Sequence, residues 1–186
     1  MKKNLLSAAL TVVIGASVVP SAFAADGKIT FKGQIEDATC SVTGGAGTDG
    51  GAQDFTVTLD KVQKAALGVA GARAGDKAFS VKIGGAGETG CPDGKIAGLK
   101  FEQAQSPVDV ATGRLTNVAG TAAVVQVGLL NEQKQDINLN DGTNAPVATI
   151  AGNTATINYF AQYYAPATGV TAGTVDTYVM YSVAYN

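Results

Sequence analysis

Ile29-Thr30-Phe31-Lys32-Gly33-Gln34-Ile35 near the start of the chain and Val179-Met180-Tyr181-Ser182-Val183-Ala184-Tyr185-Asn186 at its end decide the fold. Both runs alternate apolar residues with polar or small ones, which is the two-residue period of a β-strand with one buried face. The first run lies ahead of the first cysteine, Cys40. We predict that one domain does not use both runs as its own strands, which favours assembly with other copies over catalysis.

The beginning of the chain is typical of a secretory signal peptide. Lys2-Lys3 supplies the positive start, an apolar stretch runs from Leu5 to Val19, and Ala22-Phe23-Ala24 supplies a cleavage site of small residues. We therefore expect residues 1–24 to be removed on export. The remaining length suits one domain with its own core.

Composition predicts a chain of short antiparallel strands. Gly, Ala, Thr and Val are abundant, whereas charged residues make up only 15% of the sequence and the formal net charge is −2 at pH 7. No run of basic residues is present, which argues against nucleic acid or an anionic lipid surface as the main partner. Alternating runs predict strands at 55–59, 78–83, 96–101, 123–130, 154–164 and 174–185, with a helical turn at 61–67.

The two cysteines, Cys40 and Cys91, are expected to form a disulfide. An exported chain meets an oxidising compartment, where paired cysteines are the rule. Neither cysteine lies in a C-x-x-C motif, and the chain has no histidine to lower a thiol pKa. The pair is therefore interpreted as structural.

The sequence offers little for catalysis. It contains no histidine, which removes the commonest general base and the commonest metal ligand. The acids lie mostly in polar turns or at strand ends, where solvated surface charge is the simplest interpretation; they include Asp54, Asp60, Asp76 and Asp93. We expect no enzyme activity, no cofactor and no metal.

Several segments follow one another in an order typical of one known family. They are Phe31-Lys32-Gly33 ahead of Cys40, Thr56-Val57-Thr58-Leu59, Phe79 to Ile83 ahead of Cys91, Val125 to Leu129, Phe160 to Ala165, Gly173, and the penultimate Tyr185. Together these segments resemble the subunits of chaperone–usher pili of the type 1 and P pilus kind. The stretch between the cysteines is longer than the family pattern, with added glycines that affect loops.

The resemblance implies an all-β fold, an incomplete immunoglobulin-like β-sandwich that is six-stranded because it lacks its last strand. An apolar groove would lie in the place of that strand, and residues 25–37 of a neighbouring subunit would fill it as a donor strand. Residues 38–186 would form the pilin domain. The donor positions would be Ile29, Phe31, Gly33 and Ile35, and the groove edge that meets a chaperone would include Gly173, Val179, Tyr181, Val183, Tyr185 and Asn186.

The resemblance also implies a function, the structural shaft subunit of an adhesive pilus that supports cell adhesion and biofilm formation. A periplasmic chaperone and an outer-membrane usher would be its assembly partners, and other copies or sibling pilins would be its neighbours in a head-to-tail polymer at the cell surface.

Other interpretations remain open at this point. A minor or adaptor pilin would have the same size, and periodicity alone also allows a complete secreted sandwich that binds carbohydrate. An exported hydrolase that uses carboxylates is a third alternative. The tyrosines that could form a sugar-binding stripe are Tyr163, Tyr164, Tyr178 and Tyr181.

Overall fold

The computed structural model describes residues 39–186, which form two antiparallel β-sheets. Short turns of 3-10 helix at Lys64–Leu67 and Gln103–Gln105 are the helical segments in this part of the chain. No helix among the described residues is long and apolar enough to cross a membrane. The strands are β1 (Val42–Gly44), β2 (Arg73–Gly84), β3 (Ile96–Phe101), β4 (Val108–Asp109), β5 (Arg114–Thr116), β6 (Gln126–Leu130), β7 (Val147–Thr149), β8 (Thr154–Tyr164) and β9 (Tyr181–Tyr185).

The larger sheet has the strand order β1-β2-β8-β6-β5-β4, and the smaller one has the order β7-β3-β9. The longest ladder of the larger sheet joins β2 to β8, with Val81 opposite Ile157 and Phe79 opposite Tyr159. In the smaller sheet β9 pairs with β3 on one side only, so its other edge is open within the described region. The described residues form nine strands where the resemblance implies six, and four of the nine have only two or three residues: β1, β4, β5 and β7.

The core follows from alternation along the strands. In β8, Ala155, Ile157, Tyr159 and Ala161 are buried, whereas the residues between them point away from the core. Because successive side chains of a strand point to opposite faces, each strand buries one face against the opposite sheet. The same cluster also buries Val81, Ile83, Leu99, Leu129, Ile137 and Leu139.

Three strand predictions are confirmed, and three are wrong in whole or in part. The runs 96–101 and 154–164 form strands with the predicted bounds, and the run 78–83 lies within the longer β2. The helical turn predicted at 61–67 is the 3-10 turn Lys64–Leu67.

The run 123–130 forms a strand only over Gln126–Leu130, which is β6. The run 55–59 forms no ladder, and the predicted strand 174–185 is paired only from Tyr181 onward. Residues 55–59 and 174–180 alternate in burial as a strand does, but within the described region they lack a neighbouring strand. Their apolar faces are therefore in place without the hydrogen bonds of a sheet.

The predicted disulfide is present between Cys40 and Cys91, with the two Cα atoms 4.6 Å apart. Cys91 is fully buried in the core cluster. The bridge ties the segment ahead of β1 to the loop that follows β2, and the Thr39 backbone N–H donates to the carbonyl of Gly90 beside it. The start of the described chain is thus fixed at this end of the sandwich.

The outer face of the larger sheet carries a charged network around Asp136. Arg73 donates to both carboxylate oxygens of Asp136, at 2.7 and 2.6 Å, and Arg114 Nη2 donates to the second oxygen at 2.9 Å. The guanidinium of Arg114 also lies 3.9 Å from the ring centre of Tyr164. These contacts join β2, β5 and β8 to the loop after β6, on the face opposite the core.

Candidate functional site

An apolar groove opens between the two sheets and has a volume of about 910 Å³. Its two sides are edge segments, residues 54–59 on one side and residues 174–180 on the other, which we call the first edge and the second edge. Its floor is formed by core residues of both sheets. The floor includes Phe79, Val81, Leu99, Phe101, Leu115, Val127, Leu129, Tyr159, Ala161 and Tyr163.

Both edges present one apolar face to the groove. On the first edge Phe55, Val57 and Leu59 are half-buried and contact the core, while the residues between them are exposed. On the second edge Val175 and Val179 are likewise half-buried and contact the core. This two-residue alternation is that of a strand at a sheet surface.

The backbone of the two edges lacks sheet partners. Within the described region, the N–H groups of residues 57–60 and of residues 177–179 make no hydrogen bond. An unpaired row of backbone donors and acceptors beside an apolar cleft is a template for an added β-strand. The groove can therefore accept an extended segment whose alternate side chains point inward.

The second edge is fixed at both ends. At its start, Thr121 Oγ1 accepts a hydrogen bond from the Thr174 N–H at 3.0 Å, and Asn117 Oδ1 accepts one from the Asp176 N–H at 2.8 Å. At its end, the Met180 N–H donates to Ser106 Oγ at 2.9 Å. The stretch between these anchors is held in position without being paired, so the cleft is preformed.

Three aromatic rings contact one another in the floor of the groove. Phe79 and Tyr159 are stacked with ring centroids 5.3 Å apart, and Phe101 meets Tyr159 edge-on at 6.4 Å. The Tyr159 hydroxyl is buried and has no hydrogen-bond partner among residues 39–186. Burial raises the pKa of Tyr159, so the group stays neutral.

Carboxylates lie along the rim of the groove. Burial, together with the nearby charge of Asp54, raises the pKa of Tyr181, and burial with the charge of Asp60 raises the pKa of Tyr163. A negative charge disfavours the phenolate form, so these tyrosines remain neutral. The described residues contain no group of three or more acidic, histidine or cysteine side chains that could hold a metal ion.

The residues proposed for the groove edge do not all lie in one place. Val179 and Tyr181 line the groove, and Gly173 directly precedes the second edge. A Cβ atom at Gly173 would lie 2.5 Å from the backbone N of Ala122, so this close approach requires glycine.

The last residues of that proposed edge lie beyond the groove. Val183 and Tyr185 belong to β9, where they pair with β3, and Tyr185 Oη accepts a hydrogen bond from the Cys40 N–H at 3.1 Å. Asn186 exchanges backbone hydrogen bonds with Ile96. The proposed donor residues Ile29, Phe31, Gly33 and Ile35, like the proposed signal peptide, lie outside the described residues.

The sequence alone does not mark the first edge as part of a site. The alternation of Phe55, Val57 and Leu59 predicts an ordinary strand. The alternation that signals a strand is present there, but it carries no information about a missing partner. The strand order of the two sheets shows that this run is an unpaired edge of the groove within the described region.

Curated proteins similar to this chain are fimbrial subunits. The major fimbrial subunit SMF-1 of Stenotrophomonas maltophilia is 37% identical over 175 residues, covering 89% of this chain and 96% of the relative. The F17 fimbrial protein of Escherichia coli is also 37% identical, covering 93% of this chain and 94% of the relative. No protein-family model matches the chain.

Solved structures with the same fold are pilus subunits. The P pilus rod subunit PapA has a TM-score of 0.55 at 16% identity, with 79% of this chain and 99% of that chain covered. A subunit from a chaperone–usher pilus has a TM-score of 0.54 at 17% identity, with 92% of this chain and 100% of that chain covered. The predicted fold class, an incomplete immunoglobulin-like sandwich, is confirmed. The chain belongs to the fimbrial subunit family, the structural proteins from which extracellular pili are built.

Proposed function

We propose that the chain is a shaft subunit that polymerises by donor-strand exchange, with the groove of one copy receiving residues 25–37 of another copy or of a sibling pilin. One observation carries this proposal. The first and second edges flank an apolar cleft, and neither edge has a strand partner within the described region. A strand added between them would satisfy both edges and cover the floor.

The proposed donor suits this cleft in length and pattern. The run 29–35 contains as many residues as the second edge, 174–180. Ile29, Phe31, Gly33 and Ile35 alternate with polar residues, so they would share the face that points into the groove. Burying the three large side chains would contribute roughly 1.5–3 kcal/mol each. The backbone ladder would add to this contribution.

An open groove also explains the need for assembly partners. An apolar cleft beside unpaired edges is an aggregation hazard for a free subunit. We infer that a periplasmic chaperone occupies the groove first, contacting the second edge, the open edge of β9 and the terminal Asn186. An outer-membrane usher then lets the donor of the next subunit replace it. The product is a fibre at the cell surface that serves adhesion and biofilm formation.

Deletion of residues 25–37 tests the donor assignment. The shortened subunit should still form a complex with its chaperone, because its groove is unchanged, but it should not extend a polymer. Fibres are counted by electron microscopy, and the chaperone complex is measured by size-exclusion chromatography. Fibres made by the deleted chain would refute the assignment.

Gly33→Leu, with Thr30→Ser as its matched control, tests the fit of the donor in the groove. A large side chain at an inward position should block fibre growth by steric exclusion, whereas the small outward change should not. Equal fibre lengths for the two variants would contradict a tightly fitting donor. A self-complete carbohydrate-binding sandwich would give the same oligomeric state for both.

A further inference from the structure

The outward face of the groove rim carries acidic residues and no basic ones along its two edges. Asp54 and Asp60 flank the inward residues of the first edge, and Asp176 lies on the second edge. The Asp60 carboxylate is paired with Lys77 at 3.2 Å. The carboxylates of Asp54 and Asp176 are exposed and have neither a hydrogen bond nor an ion pair with any of residues 39–186. They are free to meet a partner.

The two free carboxylates lie at opposite ends of the groove. Phe55 and Tyr181 are in ring contact, which places the adjoining Asp54 at the β9 end. The backbone carbonyl of Asp176 accepts from the N–H of Val118, near the start of the second edge. An inserted strand would therefore have Asp54 beside it at the β9 end, on the first edge. It would have Asp176 beside it toward the other end, on the second edge.

The proposed donor carries two basic residues among its outward positions. Lys28 and Lys32 alternate with the inward Ile29 and Phe31, so an inserted strand would point both lysines outward. Their four-residue spacing spans about 13 Å along a strand. Outward side chains of neighbouring strands lie about 4.5–5.5 Å apart at Cβ, within reach of a Lys–Asp contact.

The charged residues that follow in the groove edge and in the donor are also opposite in sign. Lys61 and Lys64 are exposed just past the first edge, at the end of the groove where Val62 and Val175 pack into one cluster. In the donor, Glu36-Asp37 follows Lys32. An inserted strand parallel to the first edge would bring Lys28 toward Asp54 and Lys32 toward Asp176. The same direction would bring Glu36-Asp37 toward Lys61 and Lys64.

We propose that Asp54 and Asp176 are specificity-determining residues that select an incoming donor by pairing with its Lys28 and Lys32, respectively. This inference rests on the proposed donor-strand exchange. The floor of the groove selects a donor by the size and polarity of its inward side chains, whereas the rim charges favour donors that carry outward lysines four residues apart. Opposite charges raise the rate of productive encounter and penalise donors with acidic residues at these positions.

Binding of a fluorescent synthetic peptide of residues 25–37 to the full chain tests the selection. In about 20 mM salt, the Asp54→Asn/Asp176→Asn variant should bind this peptide about two- to tenfold more slowly than the unmodified chain, because two exposed charge pairs are lost. The difference should disappear in about 500 mM salt, where exposed charges are screened. Fluorescence anisotropy gives the rates.

A matched control changes the net charge equally at sites outside the groove. Asp93 and Glu132 do not line it, so Asp93→Asn/Glu132→Gln should bind like the unmodified chain. A peptide with Lys28→Glu and Lys32→Glu should bind slowly to the unmodified chain and recover on Asp54→Lys/Asp176→Lys. Equal slowing of both amide variants, or no recovery in the charge swap, would overturn the selection. If the peptides bind at the same rate whatever the charges, selection by Asp54 and Asp176 is refuted but donor-strand exchange is not. If no peptide binds, donor-strand exchange itself is refuted.

Discussion

Phe55 and Tyr181 contact each other across the β9 end of the groove, with ring centroids 6.0 Å apart. The Tyr181 hydroxyl also donates to the backbone carbonyl of Gln53. These contacts connect the first edge to the last strand, although the two segments share no ladder. The width of the groove at this end is thus set by side chains, since no sheet hydrogen bonds span it.

Phe55→Ala should loosen this end of the groove. We expect the free energy of unfolding to fall by about 1–2 kcal/mol, because a half-buried ring and its aromatic partner are lost. Urea denaturation followed by tyrosine fluorescence measures the change. Tyr181→Phe keeps the ring and removes only the hydroxyl, so its loss should be smaller. A larger loss for Tyr181→Phe would show that the hydrogen bond to Gln53 dominates.

Tyr159→Phe should leave the fold as stable as before, or stabilise it by about 1 kcal/mol. The Tyr159 hydroxyl is buried without a hydrogen-bond partner among the described residues, so its removal relieves a desolvation cost and keeps the stacked ring. Chemical denaturation again gives the comparison. A loss of 1 kcal/mol or more would mean that the hydroxyl is hydrogen-bonded in solution.

We expect the free energy of unfolding to decrease at acidic pH, in part because Asp136 becomes protonated. The hydrogen bonds from Arg73, with the nearby charge of Arg114, lower the pKa of Asp136 below its ordinary value. A carboxyl whose pKa is lower when folded stabilises the fold above its unfolded pKa, near 3.9, and loses that contribution as the pH falls through the folded pKa.

Asp136→Asn should therefore cost about 1 kcal/mol at pH 7 and flatten the stability curve below about pH 4. Denaturation midpoints between pH 2 and pH 7 measure it. Asp54→Asn is the control for loss of a carboxylate, because Asp54 is exposed and has no ion pair with any of residues 39–186, and it should cost no stability at pH 7. A parallel shift of the Asp136→Asn curve at all pH values would contradict the linkage.

Val124→Gly should stabilise the protein. Val124 has φ of +57°, a conformation that disfavours a β-branched residue, whereas glycine adopts it freely. We expect a gain of about 1 kcal/mol in the free energy of unfolding, measured by thermal denaturation. Val118 is exposed and is not in the left-handed region, so Val118→Gly should destabilise the protein instead. If the free energy of unfolding changed in the same direction for both variants, backbone strain at Val124 would be contradicted.

The sequence predicts the paired strands better than the groove. The run 154–164 alternates over its whole length and pairs on both sides, so its pattern and its bounds agree with β8. The run 174–185 alternates equally well, yet only Tyr181–Tyr185 is paired. Alternation reports which face of a strand is buried but not whether a neighbouring strand exists.

The charged network around Asp136 is a second feature that the sequence does not predict. Arg73 and Asp136 are 63 positions apart, and no local pattern relates them. They meet because the loop after β6 crosses the outer face of the larger sheet, beside Tyr164. Asp54 and Asp176 were likewise interpreted only as surface charge or not singled out, because their place on the groove rim depends on the pairing of the whole sandwich.

Hydrogen exchange along the two edges tests the central claim most directly. The alternate backbone amides within residues 57–60 and 177–179 that point into the groove should exchange at least about tenfold more slowly in assembled fibres than in the chain lacking residues 25–37, because an added strand would pair with them. Amides of β8, already paired on both sides, should show no such change. Equal exchange of the edge amides in the two samples would contradict donor-strand completion of the groove.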